Sequence, residues 1–161
     1  VATALEIPIE MIKRGLENTA KVAGRLCVVE ATSGARIIDD TYNANPTSLA
    51  AAIDLLATER REKWLVLGDM GELGPGAATL HEKAGVAARG AGVDRLFTLG
   101  HLAANATTGF GAGAESYEDV TQLIESLGAA AHAEVTMLVK GSRVMRMERI
   151  VQALVGEQRA C

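Results

Sequence analysis

Aromatic residues are scarce in this sequence: one Trp, two Tyr and two Phe among 161 residues, 3% in all. A core here has to be assembled from Ala, Val, Leu, Ile and Met, and the 48% hydrophobic content supplies enough of them for one domain. An excess of positive charge is also missing. The formal net charge is −4, which argues against a nucleic-acid binder because no face is forced to be basic. No apolar run reaches the roughly 18 residues of a membrane span. The start, "VATALEIPIEMIKRG", lacks the basic flank and apolar stretch of a signal peptide, and it lacks an initiator Met. The expectation is therefore a fragment of a longer chain or a processed one, working in the cytoplasm. The two cysteines, Cys27 and Cys161, form no CxxC pair and no other metal-ligand spacing, so Cys27 reads as a plain buried thiol and no metal site is expected. No G-x-x-x-x-G-K-[ST] is present, so the loop that would cradle the β- and γ-phosphates of a nucleotide is absent. Also missing are G-x-S-x-G and H-E-x-x-H, and His81, His101 and His132 have no acid or nucleophile at a matching offset. All three read as surface or helix-end residues.

What is present alternates between two periods. Residues 8–18 read as a short helix opened by Pro8, followed by the linker "TAKVAGR". "LCVVEAT" (26–32) and "ARIIDD" (35–40) are β-rich runs joined at Ser33-Gly34, a hairpin signal. Asn45 can cap a helix that starts at Pro46 and carries Leu49, Ile53 and Leu56 on one face. "KWLVLGD" (63–69) is a continuous apolar run of the kind found in strands buried on both faces. Further strands are expected at "DRLFTLG", "ESY" and "VTMLVKG" (135–141). Helices are expected over 78–90, briefly after Gly100, around Val120–Leu127, and from about 143 with Val144, Met147, Val151 and Leu154 inward. Strands alternating with helices of this length predict an α/β fold: a Rossmann-like, doubly wound, mostly parallel sheet with flanking helices.

Ligands gather at the carboxyl ends of the strands in such sheets, and three unusual loops fall there. "DDTYNANP" holds Asp39, Asp40, Asn43 and Asn45. A carboxylate there can accept ribose hydroxyls and the amides can serve a base or phosphate; equally, all four can make turns and a helix cap. "GDMGELG" places Asp69 and Glu72 among three glycines, which suits close backbone approach to a ligand or merely the positive φ of a loop. "VKGSR" sets Lys140 and Arg143 around Gly141 and Ser142 at a helix start, where N–H groups, a hydroxyl and two cations suit a carboxylate or phosphate. "GFGAGA" (109–114) fits G-x-G-x-x-A, but it follows a helix and precedes a strand, the reverse of a dinucleotide fingerprint.

Four stretches taken together, "DDTYNANPTSLAAAIDLL", "VLGDMGELG", "HEKAGVAARGAGVDRLFTLG" and "LVKGSRVMRMERIV", resemble the carboxy-terminal domain of the Mur ligases of peptidoglycan synthesis. The likeness runs from about Gly24 to the end. Residues 1–23 look like the end of the preceding central ATPase domain and the linker out of it; 24–161 look like the carboxy-terminal ligase domain of a three-domain enzyme. The resemblance implies that the P-loop lies upstream and that ATP and Mg²⁺ are held mainly by the central domain. It also implies a reaction in which the carboxylate of UDP-N-acetylmuramoyl-tripeptide becomes an acyl phosphate and the amine of D-alanyl-D-alanine attacks it. Arg25 would then reach the ATP phosphates. Asp40 would hold the ribose, with Asp39 as the competing choice, and Asn43 and Asn45 would lie nearby. Lys140, Gly141, Ser142 and Arg143 would face the dipeptide, with Asp69 and Glu72 lining the same cleft. No catalytic set is complete in the chain, and the amino-terminal and central domains become its expected partners. The competing reading is a stand-alone nucleotide-binding module that uses "GFGAGA".

Overall fold

The computed structural model describes residues 8–11 and 22–156. Residues 9–11 are helical; the rest of the helix read over 8–18, and residues 19–21 of the span read as linker, lie outside the described residues. The elements that follow are β1 (Cys27–Glu30), β2 (Arg36–Asp40), α1 (Pro46–Ala57), β3 (Glu62–Gly68), a 3₁₀ turn (Gly74–Gly76), α2 (Ala77–Gly90), β4 (Arg95–Leu99), α3 (Asn105–Phe110), β5 (Ala114–Tyr117), α4 (Val120–Ala130), β6 (Val135–Lys140), a second 3₁₀ turn (Arg143–Met145) and α5 (Glu148–Val155). The strands form one sheet in the order β1-β2-β6-β3-β4-β5. β1 and β2 are an antiparallel hairpin, and every other pairing is parallel.

The continuous apolar runs resolve into two faces because strand side chains alternate. Ile37, Trp64, Val66, Phe97, Met137 and Val139 pack on one face against Leu123 and Leu127 of α4 and Ile150, Val151 and Leu154 of α5. Ile38, Leu65, Leu67, Leu96 and Leu138 pack on the other against Leu49, Ile53 and Leu56 of α1 and Phe110 of α3. Each such Leu or Ile taken out of water contributes about 2 kcal/mol. Two of the few aromatics meet inside the first layer, with the Trp64 and Phe97 ring centroids 5.2 Å apart.

Three expectations need correction. The last helix does not begin near 143: Arg146 takes a left-handed conformation (φ 51°), the chain makes a 3₁₀ turn first, and Val144 is 82% exposed. His81 is fully buried rather than superficial. Cys27 is buried and disulfide-bonded, not a free thiol. Among the described residues, no helix is long and apolar enough to cross a membrane.

Candidate functional site

β6 is the last strand among the described residues but lies between β2 and β3, so the loops after β2, β3 and β6 converge at one edge of the sheet. The loop after β2 is shaped by its own side chains. Asp39 accepts from the Thr41 hydroxyl at 2.7 Å and from the Thr41 N–H at 3.2 Å, closing a turn. The Gly24 carbonyl accepts the Tyr42 N–H at 2.9 Å and brings the entering chain alongside. Gly24 needs its φ of +74°, and a Cβ there would sit 3.0 Å from the Tyr42 nitrogen. Asn45 then caps α1: its Oδ1 accepts the Ser48 N–H at 2.8 Å, and the Ser48 hydroxyl accepts the Asn45 N–H at 3.2 Å.

This geometry brings Arg25, Asp40, Asn43 and Asn45 together with Lys140 around one cavity of about 460 Å³. The Arg25 guanidinium lies over the Tyr42 ring, 4.3 Å from its centroid. Lys140 donates to Asp40 Oδ2 at 2.5 Å and to the Asn43 carbonyl at 2.8 Å. Asp40 lines this cavity and Asp39 does not. Among the described residues, Asp40 Oδ1 has no hydrogen-bond partner and can accept a hydroxyl.

A second cavity, about 340 Å³, adjoins the first through Asn43 and Asn45 and is also lined by Gly71, Glu72, Ser142 and Arg143. Ser142 is 5% exposed, and its hydroxyl is a buried group without a partner among the described residues. A buried donor left unpaired is costly, so a ligand oxygen there would be favoured. Arg143 keeps a largely exposed side chain and pairs with Glu148 at 3.2 Å. Gly141 is packed under Met147 against Gly68 and serves the approach of two strand ends. Asp69 lines neither cavity. Its carboxylate accepts the Ala103 N–H at 2.6 Å and its carbonyl accepts the Ser142 N–H at 2.9 Å, which ties the loops after β4 and β6 to the end of β3.

His81 also has a role in the site's architecture, and no sequence offset marks it. Its Nε2 accepts the Met70 N–H at 2.9 Å, and its Nδ1 lies 2.7 Å from the Ala77 carbonyl. Those partners assign the tautomer protonated at Nδ1 and fasten the loop after β3 to α2. "GFGAGA" forms no nucleotide cradle. Gly109 packs α3 against α2, where a Cβ would stand 2.1 Å from the Glu82 carbonyl oxygen. Neither cavity is lined by His or Cys. The arrangement can bind, orient and neutralise. Among the described residues, no group of three His, Cys, Asp or Glu side chains could hold a metal ion.

A doubly wound, mostly parallel sheet with cavities at the carboxyl ends of its strands defines a Rossmann-like domain. Residues 24–143 match the family model described as "Mur ligase, glutamate ligase domain", and the chain belongs to the Mur ligase family. The UDP-N-acetylmuramoyl-tripeptide–D-alanyl-D-alanine ligase of Escherichia coli (strain K12) is 40% identical over 148 residues, 91% of this chain and 32% of that protein. The same-named enzyme of Bacillus subtilis (strain 168) is 37% identical, with 88% of this chain and 33% of that protein covered. Among solved structures, MurF from Acinetobacter baumannii superimposes with a TM-score of 0.81 at 31% identity, covering 96% of this chain and 34% of that one. MurF ligase from Thermotoga maritima in complex with ADP gives 0.75 at 25% identity, covering 89% and 35%. The chain thus spans about a third of the length of the curated relatives it matches.

Proposed function

We propose that this chain is the carboxy-terminal domain of an ATP-dependent ligase that joins D-alanyl-D-alanine to UDP-N-acetylmuramoyl-tripeptide in the cytoplasm, and that it is inactive without its neighbouring domains. The observation that carries the proposal is the pair of adjoining cavities. One offers a free carboxylate oxygen, amides and two cations; the other offers an unpaired hydroxyl beside an exposed guanidinium. The names of the relatives supply the substrates. The first donor set fits a nucleotide: Asp40 Oδ1 for ribose hydroxyls, the Asn43 side chain and the Tyr42 face for the base end, and Arg25 for phosphate oxygens. ATP, when bound with Mg²⁺ by a preceding domain, supplies the phosphoryl group that activates the tripeptide carboxylate.

The chain's own residues then orient and stabilise. Ser142 and Arg143 hold the terminal carboxylate of the dipeptide, which leaves its amine directed towards the neighbouring domain. Glu72 lines the rim of that cavity. Gly24 and Arg25 mark the start of this domain, next to the segment about which it closes on the others. The test is phosphate release by the full-length protein that carries this chain, with ATP, the UDP-linked tripeptide and either D-alanyl-D-alanine or single amino acids. Release that depends on the dipeptide is the expected result. Equal release with D-alanine or D-glutamate would overturn the assignment.

A further inference from the structure

Lys140 ends β6, and its register partner on β2 is Asp40. Its side chain is only 3% exposed. A buried ammonium is tolerated where partners replace its lost hydration, and Lys140 has two: Asp40 Oδ2 at 2.5 Å and the Asn43 carbonyl at 2.8 Å. One acceptor precedes the turn at 41–42 and the other follows it, so the ammonium brackets the loop from both sides. Lys140 lines the first cavity and not the second, where Ser142 and Arg143 stand.

We propose that Lys140 is a positioning residue of the nucleotide half-site, not a ligand for the carboxylate of the amino substrate; the inference rests on the reading of the first cavity given above. By engaging Oδ2, the ammonium fixes the plane of the Asp40 carboxylate and leaves Oδ1 for a ribose hydroxyl. By engaging the Asn43 carbonyl, it holds the amide-bearing loop at the height of the strand ends. Nucleotide affinity then depends on Asp40 and Lys140 as one unit, and dipeptide affinity depends on neither.

The test uses the full-length protein that carries this chain, with ADP affinity measured by calorimetry and the dipeptide KM by phosphate release. Lys140→Met is expected to weaken ADP binding about ten-fold while the dipeptide KM changes less than about two-fold. Asp40→Asn should cost a similar factor, and the double variant should bind ADP no worse than the weaker single within about two-fold, because the pair acts together. Unchanged ADP affinity in Lys140→Met, a rise confined to the dipeptide KM, or losses that multiply in the double variant would each overturn the proposal. If Lys140→Met does not fold, the ¹⁵N resonance of the Lys140 ammonium in the unaltered protein decides. It should move on adding ADP and stay on adding D-alanyl-D-alanine; the reverse overturns the proposal. Phosphate release that ignores the dipeptide, with the ADP effects intact, would remove the assigned reaction and leave the role of Lys140 standing.

Discussion

Gly68 and Gly141 stand so close at the ends of β3 and β6 that a Cβ on Gly141 would lie 3.1 Å from the Gly68 Cα and 2.6 Å from the Met147 Cγ. That contact fixes the direction in which Ser142 and Arg143 leave the sheet.

Gly141→Ala is therefore expected to destabilise the domain by about 1–3 kcal/mol, because neither the Gly68 backbone nor the stem of Met147 can retreat cheaply. Gly68→Ala should cost less, since the atom nearest its added Cβ is the Met147 sulfur at 2.7 Å, on a flexible side chain. Urea denaturation of the two variants, with Gly141→Ala the weaker, is the check; the opposite order would mean that the strand ends are not so tightly opposed.

Gly85 and Gly109 let α2 and α3 touch backbone to backbone. A Cβ at Gly85 would stand 1.9 Å from the Ala106 carbonyl oxygen, and one at Gly109 would stand 2.1 Å from that of Glu82. Either glycine changed to alanine should cost about 3 kcal/mol, the upper end for overpacking, with nucleotide affinity unaltered in the fraction that folds. A Gly109→Ala protein of normal stability that had lost a saturable NAD response would restore the fingerprint reading of "GFGAGA".

Asn45 caps α1 with its side-chain oxygen. Asn45→Ala should lose about 1 kcal/mol, and Asn45→Asp, which keeps the accepting oxygen, should recover most of it. Thermal melts of both variants separate this role from ligand binding, for which an aspartate beside Asp40 would be unfavourable.

The Arg25 side chain makes one described contact, over the Tyr42 ring, and its N–H donates to the Val22 carbonyl. Arg25→Ala is expected to leave stability within about 1 kcal/mol and to lower the turnover of the full-length ligase about a hundred-fold, the scale for loss of one charge-stabilising donor. Near-normal turnover removes Arg25 from the site.

Glu115 accepts from the Tyr117 hydroxyl at 2.7 Å and from Arg95 at 2.5 Å. The Tyr117 hydrogen bond, followed by Arg95, holds its carboxyl below the ordinary glutamate range, against a burial effect that pushes the other way. A depressed folded value adds stability above the unfolded pKa of about 4.3 and loses it as the pH falls through the folded value. Glu115→Gln should thus be less stable than the parent at neutral pH, with the gap closing below about pH 4. Denaturation midpoints from pH 3 to 7 measure it; a gap that does not vary with pH would assign the loss to packing.

The alternation of helical and strand periods carried the fold, and the Asn45-Pro46 pair carried the start of α1. Of the residues read from "DDTYNANP" and "AGR", Arg25, Asp40, Asn43 and Asn45 line one cavity and Asp39 does not. What alternation does not encode is which strand lies beside which. Lys140 and Asp40 are 100 positions apart, and their pairing follows from β6 entering between β2 and β3. Reading "VKGSR" as a local anion loop therefore grouped Lys140 with its chain neighbours, although its partners lie across the sheet. His81 was invisible for a similar reason, because one of its two partners belongs to the preceding loop. The spacing of Val144, Met147, Val151 and Leu154 is genuinely helical, yet a single left-handed residue, Arg146, resets the phase and sends Val144 into solvent.

The place of β6 also governs how the domain comes into being. Until residues 135–140 emerge, β1–β2 on one side and β3–β4–β5 on the other have no strand to join them. The N-terminal pieces can form local hairpins and helices during synthesis, but the sheet closes only when the final strand inserts and pairs on both flanks at once. Contacts spanning so much of the chain make that step slow compared with helix formation. Lys140 lines one cavity and Ser142 and Arg143 line the other, so neither is assembled in a nascent or truncated domain.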